Sequence, residues 1–494
     1  MRIANAYPIV ATFMLAVFIR ALPETLSGPY PVGYDLLAGY APALWAFPAD
    51  APMRAFGWAW SPLAIYILWF LWKLSNVDLY LFLKFTSPIF YGLFISSFYY
   101  MLLKGLRWNE RKSFVTATIF LLQPAVLRTG WDQLREELGF LFLFVLLAKS
   151  KCDIVSYARS KISILLILSL SIVFSHQLVA VLFFVMISWQ FMKGLISGVR
   201  PPSESLIVFI PSALIFVWQL YSQFICPNFS DRIVPIQLPS GSNIFVFTNY
   251  FLSDPRFLGG NYWRILAYVG SFSLYTVLPL VPFAIKGYFK DHIFAPMLIW
   301  LCIASYSIVI FPWYAFSHYW WWIMLLPIPL TVYLGCALEK LKVFTITRRF
   351  IVMLIGVLLL MFIAIGYSVS AVRLGYPYAY TYMPSSLLES CVDFADIPRI
   401  KDAINWANLN LPSKTKVIVP EKLQGFASMY LRSDFKVRIA PPILDLSKIS
   451  EVACEEEETV FAIYYYSQEI EKISGDVRAI FGNVAVYELV PRVR

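Results

Sequence analysis

The stretch Leu79–Leu103, LYLFLKFTSPIFYGLFISSFYYMLL, is mostly apolar and has Lys84 as its only charged residue. A helix over these residues rises about 37 Å, at about 1.5 Å per residue, which exceeds the bilayer hydrocarbon core of about 30 Å. The segment is therefore predicted to cross a membrane as a single helix.

Further apolar stretches have a similar composition, although several are shorter than the roughly 20 residues of a full crossing. They lie at about 5–22, 113–128, 138–149, 162–175, 177–192, 205–225, 264–285, 293–312, 319–338 and 350–372. Because no small-residue cleavage site follows Tyr7–Leu22, we interpret this stretch as a retained helix and not as a signal peptide. The predicted fold class is a polytopic α-helical membrane protein with about 11 transmembrane helices.

The composition agrees with this class, with 59% hydrophobic residues, 14% charged residues and a mean hydropathy of +0.67. A soluble protein of this size needs a far more polar exterior. The net charge of +10 does not indicate nucleic acid as a partner, because of where the charge lies. Residues 1–385 carry 27 Lys+Arg against 14 Asp+Glu, and the remainder 13 against 16. The basic excess lies between apolar stretches, where it orients the chain in the lipid bilayer.

Basic loops alternate with loops rich in aromatic residues, Pro and Gly. The basic loops lie near 104–112, 149–161, 193–200, 286–290 and 340–349, and the positive-inside rule places them in the cytoplasm. Ser61–Leu74 is too short to span comfortably, and we interpret it as an interfacial or re-entrant helix on the outer side. The N-terminus is then cytoplasmic, and residues 373–494 lie outside a cell (plasma) membrane.

Residues 373–494 are predicted to form a small extracytoplasmic α/β domain, and residues 1–372 to form the transmembrane module. A helical pattern covers Pro398–Leu409. Strand-like runs follow at Val417–Val419, Lys436–Ile439, Val460–Tyr466 and Val484–Leu489. Cys391 and Cys454 would meet oxidising conditions outside the cell, which permit a disulfide between them.

Outer loop 1, residues 23–78, contains the sequence PYPVGYD at Pro29–Asp35. An acid in a rigid aromatic loop at the membrane surface is suited to act as a general base on an incoming hydroxyl, and Tyr34 could contact the substrate. The alternative is that Asp35 caps the following helix, predicted over Leu36–Leu44. Residue chemistry by itself favours capping.

Outer loop 2, residues 128–137 (RTGWDQLREE), places charges between two apolar helices, where they usually face a water-filled cavity. On one continuous helix, Asp132 would share a face with Arg135 or Glu136 and could pair with it structurally. In the functional alternative, Arg128 or Arg135 binds a lipid phosphate, and Asp132 or one of the glutamates, Glu136 or Glu137, contacts a metal or the acceptor.

Two histidines are further candidates for phosphate contacts. His176 begins a helix at the outer face, where an imidazole satisfied by the backbone is the alternative. His318 lies in an aromatic segment, residues 311–322, that is typical of a membrane interface.

The order of these features resembles the GT-C superfamily of membrane glycosyltransferases, which includes protein mannosyltransferases and the aminoarabinose transferases of lipid A. In that pattern a catalytic acid follows the first membrane helix, as Asp35 does here, and a Pro-led helix similar to 61–66 comes next. A later helix ends in a Pro, an Arg and an acid, like Pro124, Arg128 and Asp132. The superfamily often has an extracytoplasmic α/β domain at the C-terminus.

The resemblance implies transfer of a sugar, with inversion, from a polyprenyl- or dolichyl-phosphate carrier to a glycan, lipid or protein acceptor. Asp35 would be the base, and Arg128 or Arg135 would stabilise the leaving phosphate. A long outer loop often closes over the donor in this superfamily, and residues 226–263, with Arg256 and the pair Gly259–Gly260, resemble it.

Two departures from the superfamily pattern limit what the resemblance implies. The motif in loop 1 has one acid and not an Asp-x-Asp pair, so the requirement for a divalent cation (Mg or Mn) stays open. The oligosaccharyltransferase signature Trp-Trp-Asp-Tyr-Gly is also missing from the sequence. The rival class is a transporter or lipid flippase, which typically carries ionisable residues near the membrane midplane. Here the charges cluster in outer loops, which favours the enzyme.

Overall fold

A computed structural model describes residues 7–46, 62–198, 203–225, 262–288, 293–310, 319–370, 387, 394, 396–420, 423–440, 460–465 and 475–489. Within these ranges, five helices are long and apolar enough to cross a membrane: Tyr7–Leu26, Leu79–Gly105, Gln177–Ile196, Trp321–Lys340 and Thr347–Val369. The bent pair Leu266–Thr276 and Val281–Gly287, with 65° between its halves, adds a sixth if it forms one span. The chain is a multi-pass membrane protein, and the count of about 11 crossings stays a prediction.

Shorter helices connect and flank these spans within the described ranges. Those of the first half are α1 (Tyr7–Leu26), α2 (Ala41–Ala46), α3 (Pro62–Ser75), α4 (Leu79–Tyr100), α5 (Glu110–Leu121), α6 (Pro124–Asp132), α7 (Leu134–Lys149), α8 (Ile154–Ser175), α9 (Gln177–Ile196) and α10 (Ser203–Ile225). Those of the second half are α11 (Tyr262–Thr276), α12 (Val281–Gly287), α13 (Phe294–Ile310), α14 (Tyr319–Leu325), α15 (Pro327–Lys340), α16 (Thr347–Ser370), α17 (Ile397–Asn410) and α18 (Gln424–Tyr430).

Helix α4 forms where the long apolar stretch predicts it. Asp78 begins the helix, because its carboxylate accepts hydrogen bonds from the backbone N–H groups of Tyr80 and Leu81 at 3.0 and 3.2 Å. The helix continues through a π-helical turn at Met101–Gly105. The Pro-led segment predicted within outer loop 1 is helix α3, and its position relative to the membrane stays a prediction.

Helices α1 and α4 pack closely because Gly92 has no side chain. A Cβ atom at Gly92 would lie 2.6 Å from Val17 Cγ2 and 2.8 Å from the ring of Phe13. This contact brings the end of α1, where outer loop 1 begins, against the start of α4. The end of α1, the beginning of outer loop 1 and the start of α4 therefore lie on the same side of the helical bundle.

Five strands form one sheet in the described part of the C-terminal region. They are β1 (Lys416–Pro420), β2 (Lys436–Ala440), β3 (Val460–Tyr465), β4 (Gly475–Phe481) and β5 (Val484–Leu489), in the order β2-β1-β3-β5-β4. Strand β1 is parallel to β2 and β3, whereas β5 is antiparallel to β3 and β4. Strand β4 is not predicted from the sequence, because it lies at an edge and its alternating residues stay largely exposed.

Helices α17 and α18 carry this sheet onto outer loop 1. One hydrophobic cluster contains Leu36, Leu37 and Leu44 of the loop together with Ile400 and Phe426. Because both parts bury side chains in one cluster, loop 1 takes its shape partly from the C-terminal region.

A lysine from α17 adds a polar contact to the same interface. Lys401 Nζ lies 5.1, 5.2 and 5.0 Å from the ring centroids of Tyr30, Tyr80 and Tyr430, and the hydroxyls of Tyr430 and Tyr80 are 3.2 Å apart. A cation surrounded by three aromatic rings stabilises the docking of the C-terminal region on loop 1 and α4.

Candidate functional site

Asp35 stands at the start of a π-helical turn, Leu36–Tyr40, directly after Gly33 and Tyr34. Gly33 has φ +141°, a backbone conformation that side chains disfavour, so it sets the direction in which the chain enters the turn. Asp35 itself has helical angles, φ −67° and ψ −25°, and within the described ranges its side chain makes no capping hydrogen bond. The structure therefore does not support the capping alternative. Asp35 and Tyr34 are both half-buried.

Tyr40 is the meeting point of outer loops 1 and 2. Its buried hydroxyl accepts a hydrogen bond from the backbone N–H of Arg135 at 3.0 Å. Burial raises the pKa of Tyr40 well above its ordinary value, the positive charge of Arg135 opposes this shift, and the negative charges of Glu136 and Asp35 add to it. The charges of Asp35, Arg135 and Glu136 therefore all act on one tyrosine.

The premise of one continuous helix through outer loop 2 is wrong. Helix α6 ends at Asp132 and α7 begins at Leu134, with Gln133 at the non-helical angles φ −99° and ψ 54°. This α6–α7 break removes the helical register that would have placed Asp132 beside Arg135 or Glu136. The side chain of Asp132 lies outside the described part of the chain.

Glu136 instead pairs with His176, which connects α8 to α9 in an extended conformation. His176 Nε2 lies 3.2 Å from Glu136 Oε1, and both side chains are buried. The structure thus gives His176 a contact with a carboxylate, and its role in binding phosphate stays a prediction. His176 also meets Trp321 edge-on, with 6.3 Å between ring centroids.

Arg128 is buried on α6, with its guanidinium carbon 5.8 Å from the ring centroid of Trp131. Trp131 stacks on Tyr367 of α16 at 4.7 Å. Arg135 is joined to the loop that carries Asp35 through the hydrogen bond from its backbone N–H to Tyr40, and Arg128 lies beside Trp131. Arg256, His318 and residues 226–261 lie outside the described residues, as do Cys391 and Cys454.

Sequence reasoning missed Arg20 and Glu24 on α1. The Arg20 side chain is fully buried, and its Nη1 lies 2.7 Å from Glu24 Oε1. Both oxygens of Glu24 accept from the backbone N–H of Val32 at 3.1 Å. A spacing of four residues between opposite charges in an apolar helix was the available signal, since such charges are rare in membrane segments and usually functional.

A metal ion has no evident ligand set in this part of the molecule. Across the described ranges, no group of three or more His, Cys, Asp or Glu side chains could hold a metal ion. We therefore derive no step of the chemistry through a metal, and the requirement for Mg or Mn stays a matter for experiment.

The fold is that of the GT-C class of membrane glycosyltransferases, as the sequence pattern predicts. The crystal structure of ArnT from Cupriavidus metallidurans bound to undecaprenyl phosphate matches with a TM-score of 0.52 and 14% identity, covering 100% of this chain and 99% of that chain. The arabinofuranosyltransferase AftD from mycobacteria matches with a TM-score of 0.51 and 13% identity, over 97% of this chain and 40% of that chain. No family model and no curated protein matches the sequence. At these identities the likeness establishes the fold alone.

Proposed function

We propose that this protein is a membrane glycosyltransferase. It moves a hexose or pentose from a polyprenyl- or dolichyl-phosphate carrier to an extracytoplasmic glycan, lipid or protein, with inversion at the anomeric carbon. The observation that carries the proposal is the position of Asp35. Its carboxylate is not used in helix capping, and its charge acts on the same tyrosine as those of Arg135 and Glu136.

In the proposed reaction, the Asp35 carboxylate takes the proton of an acceptor hydroxyl. The acceptor oxygen forms a bond to the anomeric carbon as the bond from that carbon to the phosphate oxygen breaks. The electron pair stays on the phosphate, and the lipid phosphate leaves. General-base assistance of this kind contributes about 10²–10⁴ in rate.

The leaving phosphate gains negative charge, and a guanidinium stabilises it where water is excluded. Arg135 is the first candidate, because its backbone N–H bonds to Tyr40 in the loop that carries Asp35. Arg128, buried on the preceding helix, is the second. The Glu136–His176 pair would hold Glu136 away from the phosphate, to which a free carboxylate would be repulsive.

A lipid carrier explains why a sugar-transferring enzyme has this composition. The isoprenoid tail stays in the bilayer and reaches the site by lateral diffusion, so the protein must present its site at the membrane surface. The ArnT structure contains undecaprenyl phosphate, a carrier of the same chemical class. This supports a lipid phosphate as the product that leaves the site.

The decisive experiment offers a panel of radiolabelled polyprenyl- and dolichyl-phosphate sugars to the purified protein in nanodiscs, together with a membrane extract as the source of acceptor. Each donor is tested with EDTA, with Mg²⁺ and with Mn²⁺, which decides the metal requirement. The proposal expects label to move from at least one carrier to an acceptor.

A flippase would give a different result. It would move the labelled lipid across proteoliposomes without breaking the bond between sugar and phosphate. That outcome, with no transfer from any donor, would refute the enzyme.

A further inference from the structure

The backbone groups that lose their helical partners at the α6–α7 break form hydrogen bonds with side chains from two other elements. In a continuous helix the backbone N–H of Arg135 would donate to the carbonyl of Trp131, four residues earlier. Here the N–H of Arg135 donates to the Tyr40 hydroxyl at 3.0 Å, and the carbonyl of Trp131 accepts from Arg20 Nη2 at 2.9 Å. One hydrogen bond within a helix has been replaced by two bonds between elements.

Arg20 also binds a second backbone carbonyl at the end of α6 that has no partner within the helix. Its Nε donates to the carbonyl of Gly130 at 2.5 Å, and its Nη2 reaches Ser87 Oγ on α4 at 2.6 Å. The last carbonyls of a helix have no partner within it, and a buried end needs other donors. A guanidinium offers five N–H donors in one plane and stays charged.

The same arginine is bonded to outer loop 1. Arg20 Nη2 donates to the carbonyl of Val32 at 3.0 Å, while Glu24 accepts from the N–H of Val32. Val32 and Tyr40 lie on either side of Asp35 in the sequence. The contacts of Arg20 and Tyr40 with loop 2 therefore hold the segment that carries Asp35 at both of its ends.

We propose that Arg20 and Tyr40 are positioning residues, which keep the α6–α7 break open and attach it to outer loop 1. Through these bonds, the segment of outer loop 1 that carries Asp35 is held against outer loop 2. The effect on turnover rests on the proposed function, whereas the effect on the break does not. Small displacements at a reacting centre are costly, since about 1 Å of misplacement can reduce a rate about 100-fold.

Two measurements on the Tyr40→Phe variant of the full-length protein test the proposal. This substitution removes the hydroxyl and keeps the ring. Hydrogen exchange by mass spectrometry follows the peptide 129–137 in nanodiscs, and steady-state kinetics follow sugar transfer. We expect the peptide to take up about one more deuteron at short times, from the amide of Arg135. We also expect kcat to fall about tenfold, with KM for the donor within about threefold.

Tyr99→Phe is the matched control, because Tyr99 is fully buried on α4 and its hydroxyl has no hydrogen-bond partner among the described residues. It should leave both exchange and kinetics unchanged. Arg20→Lys keeps the charge opposite Glu24 but reaches fewer carbonyls, so kcat should fall about 100-fold. Arg111→Lys, at an arginine of α5 that donates to the carbonyl of Phe344, should have no effect. If Arg20→Lys does not fold, Tyr40→Phe decides alone.

Unchanged exchange at 129–137 in Tyr40→Phe would overturn the proposal, whatever the activity. Faster exchange with wild-type kcat would overturn the positioning role. If the wild-type protein transfers no sugar from any donor, the proposed function fails, and the exchange comparison still decides whether Tyr40 holds the break.

Discussion

Asp35→Asn separates catalysis from structure at the centre of the site. The amide has the shape of the carboxylate but does not accept a proton at neutral pH. Loss of a general base reduces the rate about 10²–10⁴-fold, which corresponds to about 3–5 kcal/mol in the activation free energy. Stability should change little, because the half-buried side chain makes no capping bond, and an ion pair near a surface contributes about 0.2–1 kcal/mol.

Asp78→Asn is the matched control on the same loop. Asp78 is a true N-cap, with two hydrogen bonds to the first turn of α4, and Asn caps about as well as Asp. We expect wild-type turnover from it. Glu24 is unsuitable as a control, because it is buried against Arg20.

The assay measures initial rates of transfer at saturating donor, with the melting temperature and donor binding recorded for each variant. The expected Asp35→Asn protein is folded, binds donor and is inactive. Wild-type turnover in Asp35→Asn would refute the reasoning, and the base would then have to be sought in outer loop 2.

Three further predictions concern the C-terminal region and the topology. Lys401→Met should reduce the free energy of unfolding by about 1–2 kcal/mol, because it removes the cation from the three rings. The control Lys436→Met, at an exposed lysine, should not. Equal melting curves for the Lys401→Met and wild-type proteins would contradict this prediction. A single cysteine introduced at Glu110, which begins α5 after a basic loop, should react with an impermeant maleimide only after permeabilisation. Labelling in intact cells would show that the topology is the opposite of the predicted one. Cys391 and Cys454 should be found linked by non-reducing mass spectrometry, and two free thiols would exclude the bond.

The membrane helices could be predicted because their cause is local. In hydrocarbon every backbone group must be bonded within its own segment, so a long apolar stretch such as Leu79–Leu103 has one stable form, and it becomes α4. Four of the five described strands of the C-terminal sheet follow similarly from β-branched and aromatic runs, and β4 does not. Asp35 was singled out as a candidate because it follows Gly33 and Tyr34 just after a membrane helix, and its role as the base stays a prediction.

The arrangement around Asp35 required the tertiary structure. The sequence of outer loop 2 reads as one helix, and the break at Gln133 forms because its free groups find Tyr40, 95 residues away, and Arg20, 111 residues away. His176 and Glu136 likewise meet only when α7 packs beside α8 and α9. A helix keeps its internal hydrogen bonds unless better partners are brought to it, and those partners depend on how distant segments pack.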